Sequence, residues 1–313
     1  VGGTIGAEGV DPSARGMASG VDIRSYDWNS DRAEMSSDGP LIDVSNHSYG
    51  VVAGWRWTID FSSPTFLMDM WYGDMSVSTV EDAKFGAYTS DAAQLDDLLA
   101  QDANKELLSV WAAGNDRSDD YGNLSGDGTY ITYFSADPGV GGWSEAGFYY
   151  VNGSTFTPPA ADGNSGTGYD SLLSTQTAKN ILTVGAVEDV TVDPRGPGDV
   201  QMSTFSGWGP TDDGRIKPDV VGNGVGVYST VDSSDTAYDT KDGTSMASPN
   251  VAGTAVLHKE HFETTLGASP LSSTLKGLII HTAAEAGYVG PDYTYGWGVV
   301  DAKAAAEFVT DVG

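Results

Sequence analysis

Cysteine is absent from the 313 residues. Disulfides, thiol nucleophiles and thiolate metal sites are therefore excluded, while the cellular compartment stays open. Basic residues are scarce, 15 Lys and Arg against 44 Asp and Glu, for a formal net charge of -29. A surface of that sign repels nucleic acid and anionic membranes, so neither is an expected partner. No run of eighteen apolar residues occurs, hence no membrane-spanning helix is expected, and no signal-peptide pattern stands in the chain. Histidine is limited to four positions, 47, 258, 261 and 281. Internal repeats are lacking too, and the 41 glycines are scattered, which points to many tight turns rather than low complexity. The acidic charge is dispersed, as in a folded protein kept soluble in salty water or one that binds cations. With 39% hydrophobic residues there is ample material for a core, and the length fits one α/β domain.

What is present centres on Gly243-Thr244-Ser245-Met246-Ala247-Ser248-Pro249, followed by Ala252, Gly253 and Ala255. Small side chains at that density let a helix lie close to its neighbours, so Met246 to about Phe262 reads as a buried helix. Ser245 then stands at its N-terminus, where free backbone N–H groups favour developing negative charge. Taken alone, the serine is as well explained as a helix cap. Leu107–Ala113 is a continuous apolar strand of the kind buried on both faces of a parallel sheet. It ends in Ala112-Ala113-Gly114-Asn115, which puts an amide at the carboxyl end of a strand, where α/β sheets carry their sites. A Gly-Asn turn explains the same residues. From Asp91, apolar residues 92, 95, 98 and 99 recur at helical spacing, with Ser90 as a cap.

The string Gly243–Gly253 resembles the nucleophile motif of the subtilisin-like serine proteases, the subtilases, usually GTSMA[ST]PxVAG. Further motifs follow the family order. Ala112–Asn115 is similar to its [AS]-A-G-N, residues 177–186 to its A-x-N-x-[IL]-T-V-G-A, and Phe205–Pro210 with Lys217–Asp219 to its FSS[RW]GP…KPD block. Gly222-Asn223-Gly224 departs from the usual A-P-G. The resemblance implies a three-layer α/β fold with a mostly parallel central sheet flanked by helices. The whole chain, 1–313, would be one catalytic domain with insertions at about 51–88 and 116–168. The implied activity is endopeptidase cleavage of protein or peptide substrates, with Ser245 as nucleophile and Asn115 as oxyanion donor. Ser48, Tyr49 and Gly50 match one wall of the primary specificity pocket, and Ala112, Ala113 and Gly114 match another. Trp28, on an expected strand Val21–Trp28, would line a subsite, although core packing explains it equally.

Val1–Ala7 resembles the segment just after the family's catalytic histidine, so the resemblance puts that histidine and the aspartate strand upstream of residue 1. His47 precedes the pocket wall and is read as a packing residue; His281, in an apolar run, reads as buried. The family's aspartate strand lies between those matching Val21–Trp28 and Leu41–Asn46. On that basis the 313 residues are not expected to be self-sufficient, and the chain's own N-terminal segment, as a separate polypeptide, becomes a candidate partner. The alternative is an inactive subtilase-like fragment that at most binds peptides. Subtilases commonly bind calcium in loops, and the carboxylate-rich stretch 116–127 offers Asp119 and Asp127 as ligands for a structural ion, although its spacing is not an EF-hand and a solvated acidic loop explains the same residues. The resemblance is nearest to large secreted bacterial subtilases, which makes extracellular localisation the expectation.

Overall fold

The computed structural model describes residues 1–59, 67–74, 77–78, 80–119, 131–133, 149–150, 161–163, 167–191 and 196–313. Four short segments form the central sheet: β1 (Val44–His47), β4 (Leu108–Ala112), β7 (Leu182–Val187) and β8 (Val220–Asn223). They pair in parallel in the order β1-β4-β7-β8, with Val44 opposite Leu108, Val110 opposite Leu182 and Val184 opposite Val220. Every residue of β4 and β7 is buried, which explains why these strands read as unbroken apolar runs rather than alternating ones.

Helices cover both faces. On one side lie α4 (Thr244–Leu266) and α5 (Ser272–Thr282), whose Ala247, Val251, Ala252, Ala255, Leu275 and Ile279 pack on Leu108, Val110, Leu182, Val184 and Val220. On the other, Met35 of α2 (Asp31–Asp38) and Leu95, Leu98 and Leu99 of α3 (Ser90–Leu99) pack on Leu107, Trp111 and Ile181. The three-layer α/β arrangement is the expected one. The small residues of α4 have a specific use: a Cβ on Gly253 would lie 2.8 Å from Met17 Cβ and 3.1 Å from the Ile5 carbonyl oxygen. Only glycine lets α1 (Gly2–Gly6) and its following loop lie that close. The C-terminal α6 (Ala302–Val312) is capped by Asp301, whose carboxylate accepts from the Ala304 N–H at 2.8 Å.

Three expectations fail. Val21–Trp28 is not a strand: residues 21–27 carry no regular structure and Trp28–Ser30 is a single 3-10 turn. Strand geometry persists through ladder hydrogen bonds, and no described strand lies beside this segment; β1 has a described neighbour on one side only. Residues 51–88 are not an elaborated loop. They contain β2 (Trp55–Ile59) and β3 (Leu67–Trp71), antiparallel members of a second sheet completed by β5 (Ile131–Tyr133) and β6 (Tyr149–Tyr150). Trp55 and Trp71, with ring centroids 5.4 Å apart, are buried there. His281 is exposed, resting edge-on against Phe308 rather than in the core. A third sheet is the two-stranded hairpin of β9 (Val227–Thr230) and β10 (Tyr238–Lys241). Among the described residues no helix is long and apolar enough to cross a membrane.

Candidate active site

The ends of β1 and β4 meet the first turn of α4, and this junction gathers the residues singled out above. Gly243, at φ +147, precedes α4, so Ser245 sits within the first turn. Its backbone N–H belongs to the set that a helix leaves without internal partners. Ser245 Oγ lies 3.3 Å from the Ser48 carbonyl oxygen, and Ser48 Oγ donates to the Ser245 carbonyl at 3.2 Å. This reciprocal pair fastens the first turn of α4 to the segment after β1. Ser248 Oγ adds a bond to Asn46 Oδ1 at 2.7 Å.

Asn115 is oriented from the same helix turn. Its Oδ1 accepts from the Thr244 N–H at 2.9 Å and from Thr244 Oγ1 at 2.8 Å. Thr244 Oγ1 in turn accepts from the Gly114 N–H at 3.2 Å, and Gly114 takes φ +104, a region that favours glycine. With Oδ1 committed, the two Nδ2 hydrogens are the free donors, and no acceptor among the described residues meets them. The amide nitrogen lies beside Gly243, against the turn that carries Ser245. The site can therefore present a hydroxyl, a side-chain amide donor and helix N-terminal amides within one small region.

Ser48, Tyr49 and Gly50 on one side and Ala112, Ala113 and Gly114 on the other are held near each other by a residue that sequence reading missed. Leu173 is buried between them: a Cβ on Gly50 would lie 2.7 Å from Leu173 Cδ1, and one on Gly114 would lie 3.6 Å from the same carbon. Gln176 Nε2 donates to the Tyr49 carbonyl at 3.1 Å, fixing that wall. The only advance signal was the apolar pair Leu172-Leu173 just before the lead-in to β7. Trp28 is exposed, with its ring centroid 6.4 Å from that of Tyr49, so core packing is excluded for it.

None of the four histidines offers Ser245 a base. Both ring nitrogens of His47 are occupied, Nδ1 by Tyr49 Oη at 2.6 Å and Nε2 by Ser45 Oγ at 2.9 Å. Tyr49 donates its own proton to Asp31 at 3.0 Å, so Nδ1–H is the donor to Tyr49. The ring stacks on Trp111 at 4.3 Å. The packing role expected for His47 is the one observed. His258 is thirteen residues along α4, about 20 Å from Ser245 at the helical rise. His261 bonds the Ala306 carbonyl and Thr310, and His281 faces Phe308.

The burial of His47 has a pH consequence. Desolvation, with the charge of Arg32 adding, pushes its pKa down to about 3 from 6.5. The folded ring stays neutral where the unfolded one takes up a proton. Stability present above about pH 6.5 is therefore lost as pH falls toward 3, by at most about 5 kcal/mol. Between pH 6 and 4, His47→Gln is expected to remove about one proton from the uptake on unfolding, as read from the slope of unfolding free energy against pH. An unchanged slope contradicts the assignment.

Behind Asn115, three carboxylates from two segments converge. Asp116, Asp119 and Asp162 each present an oxygen, and these atoms lie within 4.8 Å of one another. Asp119 is the expected ligand; Asp127 lies outside the described residues. Asp116 pairs with Arg56, which also approaches Asp119 at 3.5 Å. Asp162 Oδ1 accepts from the Trp55 N–H at 2.7 Å. Burial first, then the charges of Asp116 and Asp119, push the Asp162 pKa up to about 9.

A parallel α/β sheet with a serine at a helix N-terminus and a facing amide at a strand end is the architecture of subtilisin-like proteases. The Subtilase family profile (Peptidase_S8) matches residues 1–298, and the chain belongs to that family. C5a peptidase of Streptococcus pyogenes serotype M3 (strain ATCC BAA-595 / MGAS315) is 34% identical over 154 residues, 45% of this chain and 13% of the relative. The chain thus spans a small part of that protein. Subtilisin DY of Bacillus licheniformis is 30% identical over 207 residues, 59% of this chain and 65% of the relative. Among solved structures, the self-cleaved protease domain of PatA superposes with a TM-score of 0.53 at 14% identity, covering 98% of this chain and 81% of that one. The CspB protease of Clostridium perfringens gives 0.53 at 15% identity, covering 78% and 66%. These superpositions carry the fold alone.

Proposed function

We propose that the protein is a serine endopeptidase acting on peptide bonds through an acyl-enzyme on Ser245. The observation that carries this reading is the placement of Ser245 and Asn115 in one helix-turn junction, with Asn115 Oδ1 locked by Thr244 and its Nδ2 donors left free. Ser245 Oγ attacks the scissile carbonyl, and the oxyanion is met by Asn115 Nδ2–H and the Ser245 N–H. Proton transfer needs an imidazole and a carboxylate that orients it. Since the four histidines of these residues are engaged or remote, the imidazole comes from a further segment of the protein, and the family pattern puts its orienting carboxylate there too. Among the described residues β1 is an edge strand, and the irregular stretch 21–27 with the adjoining Trp28 exposes Ile23, Tyr26 and Trp28, which suits the docking of such a strand. Without it, the chain binds peptides but does not cleave them. Extracellular action fits the acidic surface.

Leu173 sets the substrate class. Its side chain fills the gap between Gly50 and Gly114, so the primary pocket is shallow and takes small residues such as alanine at the cleavage position. Leu173→Gly is expected to raise the preference for phenylalanine over alanine there by at least about 10-fold, the scale of a few methylenes in an apolar pocket. The ratio of kcat/KM for paired peptides, measured on the assembled protease, tests this. An unchanged ratio rejects Leu173 as the pocket floor.

A further inference from the structure

We infer that Asn46 is a positioning residue for the nucleophile: through the Ser48 hydroxyl it sets the orientation of the Ser245 main chain. This role deepens the protease reading and rests on it.

α4 has a gap in its own hydrogen bonding at the critical turn. Within a helix the Ser245 carbonyl would accept from the N–H four residues on, at Pro249, which has none. A proline ring also crowds the carbonyl of the residue four before it, which here is the same group. The oxygen therefore needs a donor from outside the helix, and that donor decides how the peptide is held. It is Ser48, whose Oγ donates to the Ser245 carbonyl at 3.2 Å.

A serine hydroxyl is a poor guide by itself, because its proton rotates to suit its surroundings. Asn46 removes that freedom. Its Nδ2 donates to Ser48 Oγ at 3.1 Å, so the hydroxyl directs its own proton at the Ser245 carbonyl. The amide is in turn held the right way round, since Ser248 Oγ donates to Asn46 Oδ1 at 2.7 Å and Ser248 is fully buried. Three hydrogen bonds thus run in one sense, from Ser248 through Asn46 and Ser48 to Ser245, and bonds aligned in this way strengthen one another. The chain begins and ends on the same stretch of α4.

The register of β1 shows that Asn46 is not there for packing. Alternation puts Val44 and Asn46 on one face of the strand, and Ser45 and His47 on the other. Val44 packs on the apolar cluster that includes Ala247 and Val251 of α4, whereas His47 stacks on Trp111. Asn46 therefore occupies a helix-facing position suited to an apolar side chain, where a polar one is costly unless bonded. Its Oδ1 and Nδ2 each have a partner, and both partners lead to the nucleophile turn. Ser245 Oγ itself lies 3.3 Å from the Ser48 carbonyl, so a shift of Ser48 moves the attacking oxygen and the Ser245 N–H together. Misplacement of that kind lowers rate more than affinity.

Asn46→Asp tests this on the protease assembled with the segment that supplies the imidazole. The replacement keeps the shape and the acceptor for Ser248, but a carboxylate has no hydrogen to give Ser48. The Ser48 proton then turns toward the carboxylate, and the Ser245 carbonyl loses its donor. At neutral pH kcat is expected to fall at least about 10-fold, with KM changed less than about 2-fold. Ser48→Ala should cause a similar fall, and the double variant should be little worse than either, because both single changes break the same bond. A residue that only filled space or tethered Ser248 would show neither the loss nor the coupling. If Asn46→Asp does not fold, Asn46→Ala takes its place in the same cycle with Ser48→Ala. Unchanged kcat in the folded variant, or losses that multiply in the double variant, overturns the proposal. A fluorophosphonate separates this failure from failure of the reading beneath it. A native protein that takes no label on Ser245 rejects the protease reading and this role together. One that is labelled on Ser245, and no faster than Asn46→Asp, rejects the role of Asn46 alone.

Discussion

Asn115→Ala is expected to lower kcat of the assembled protease by about 100- to 1,000-fold, the loss typical of removing one oxyanion donor. KM should change little, because the amide meets charge that exists only in the transition state. Ser245→Ala should abolish hydrolysis altogether. The structural reason for expecting so much from one amide lies in its second contact. Thr244 grips Asn115 Oδ1 twice, at 2.9 and 2.8 Å. The Nδ2 donors are therefore fixed before substrate arrives, and no reorganisation is needed as negative charge develops. A fall in kcat below about 10-fold, with folding intact, would remove Asn115 from the oxyanion role.

Asp219→Ala should be the most destabilising single substitution outside the site. The carboxylate is buried and accepts from Lys217 Nζ at 2.7 Å, Lys276 Nζ at 2.9 Å and the Thr183 N–H at 2.7 Å. Burial drives the Lys217 pKa down to about 7, against the pull of Asp219, which sustains the charged form. Removing Asp219 leaves two ammonium groups together in the interior, and breaking a buried pair in this way costs about 3–5 kcal/mol. Urea unfolding at neutral pH reads the loss directly. Replacing Lys217 and Asp219 together by apolar residues of similar volume should recover part of it. A loss under about 1 kcal/mol for Asp219→Ala would mean that water reaches the cluster. Thr183 lies on β7, paired with Trp111 of β4, the strand that leads into Asn115.

Features carried by short, continuous stretches were legible in the sequence. β4 is buried on both faces and reads as an apolar run; α4 announces itself by small residues that must meet other backbones; Asn115 stands at a strand end. Features made by distant partners were not. Val21–Trp28 has the composition of a strand but no described neighbour to bond. Residues 51–88 looked irregular because Trp55 and Trp71 bury themselves against each other across a ladder, a pairing invisible along one strand. His281 lies in an apolar run whose helix turns it outward. Asp119 was visible as an acid in a loop, but Asp116 faces Arg56 and Asp162 comes from a separate segment. Leu173 acts through two glycines far from it in the chain, and local sequence carries no trace of that.

The most direct measurement of the central claim is active-site labelling. The protein, assembled with the segment that supplies the imidazole, is treated with a fluorophosphonate, and the adduct is located by peptide mass mapping. A stoichiometric label on Ser245, much reduced by Asn115→Ala and lost in Ser245→Ala, is the expected result. A label on any other residue, or one that persists in Ser245→Ala, contradicts it.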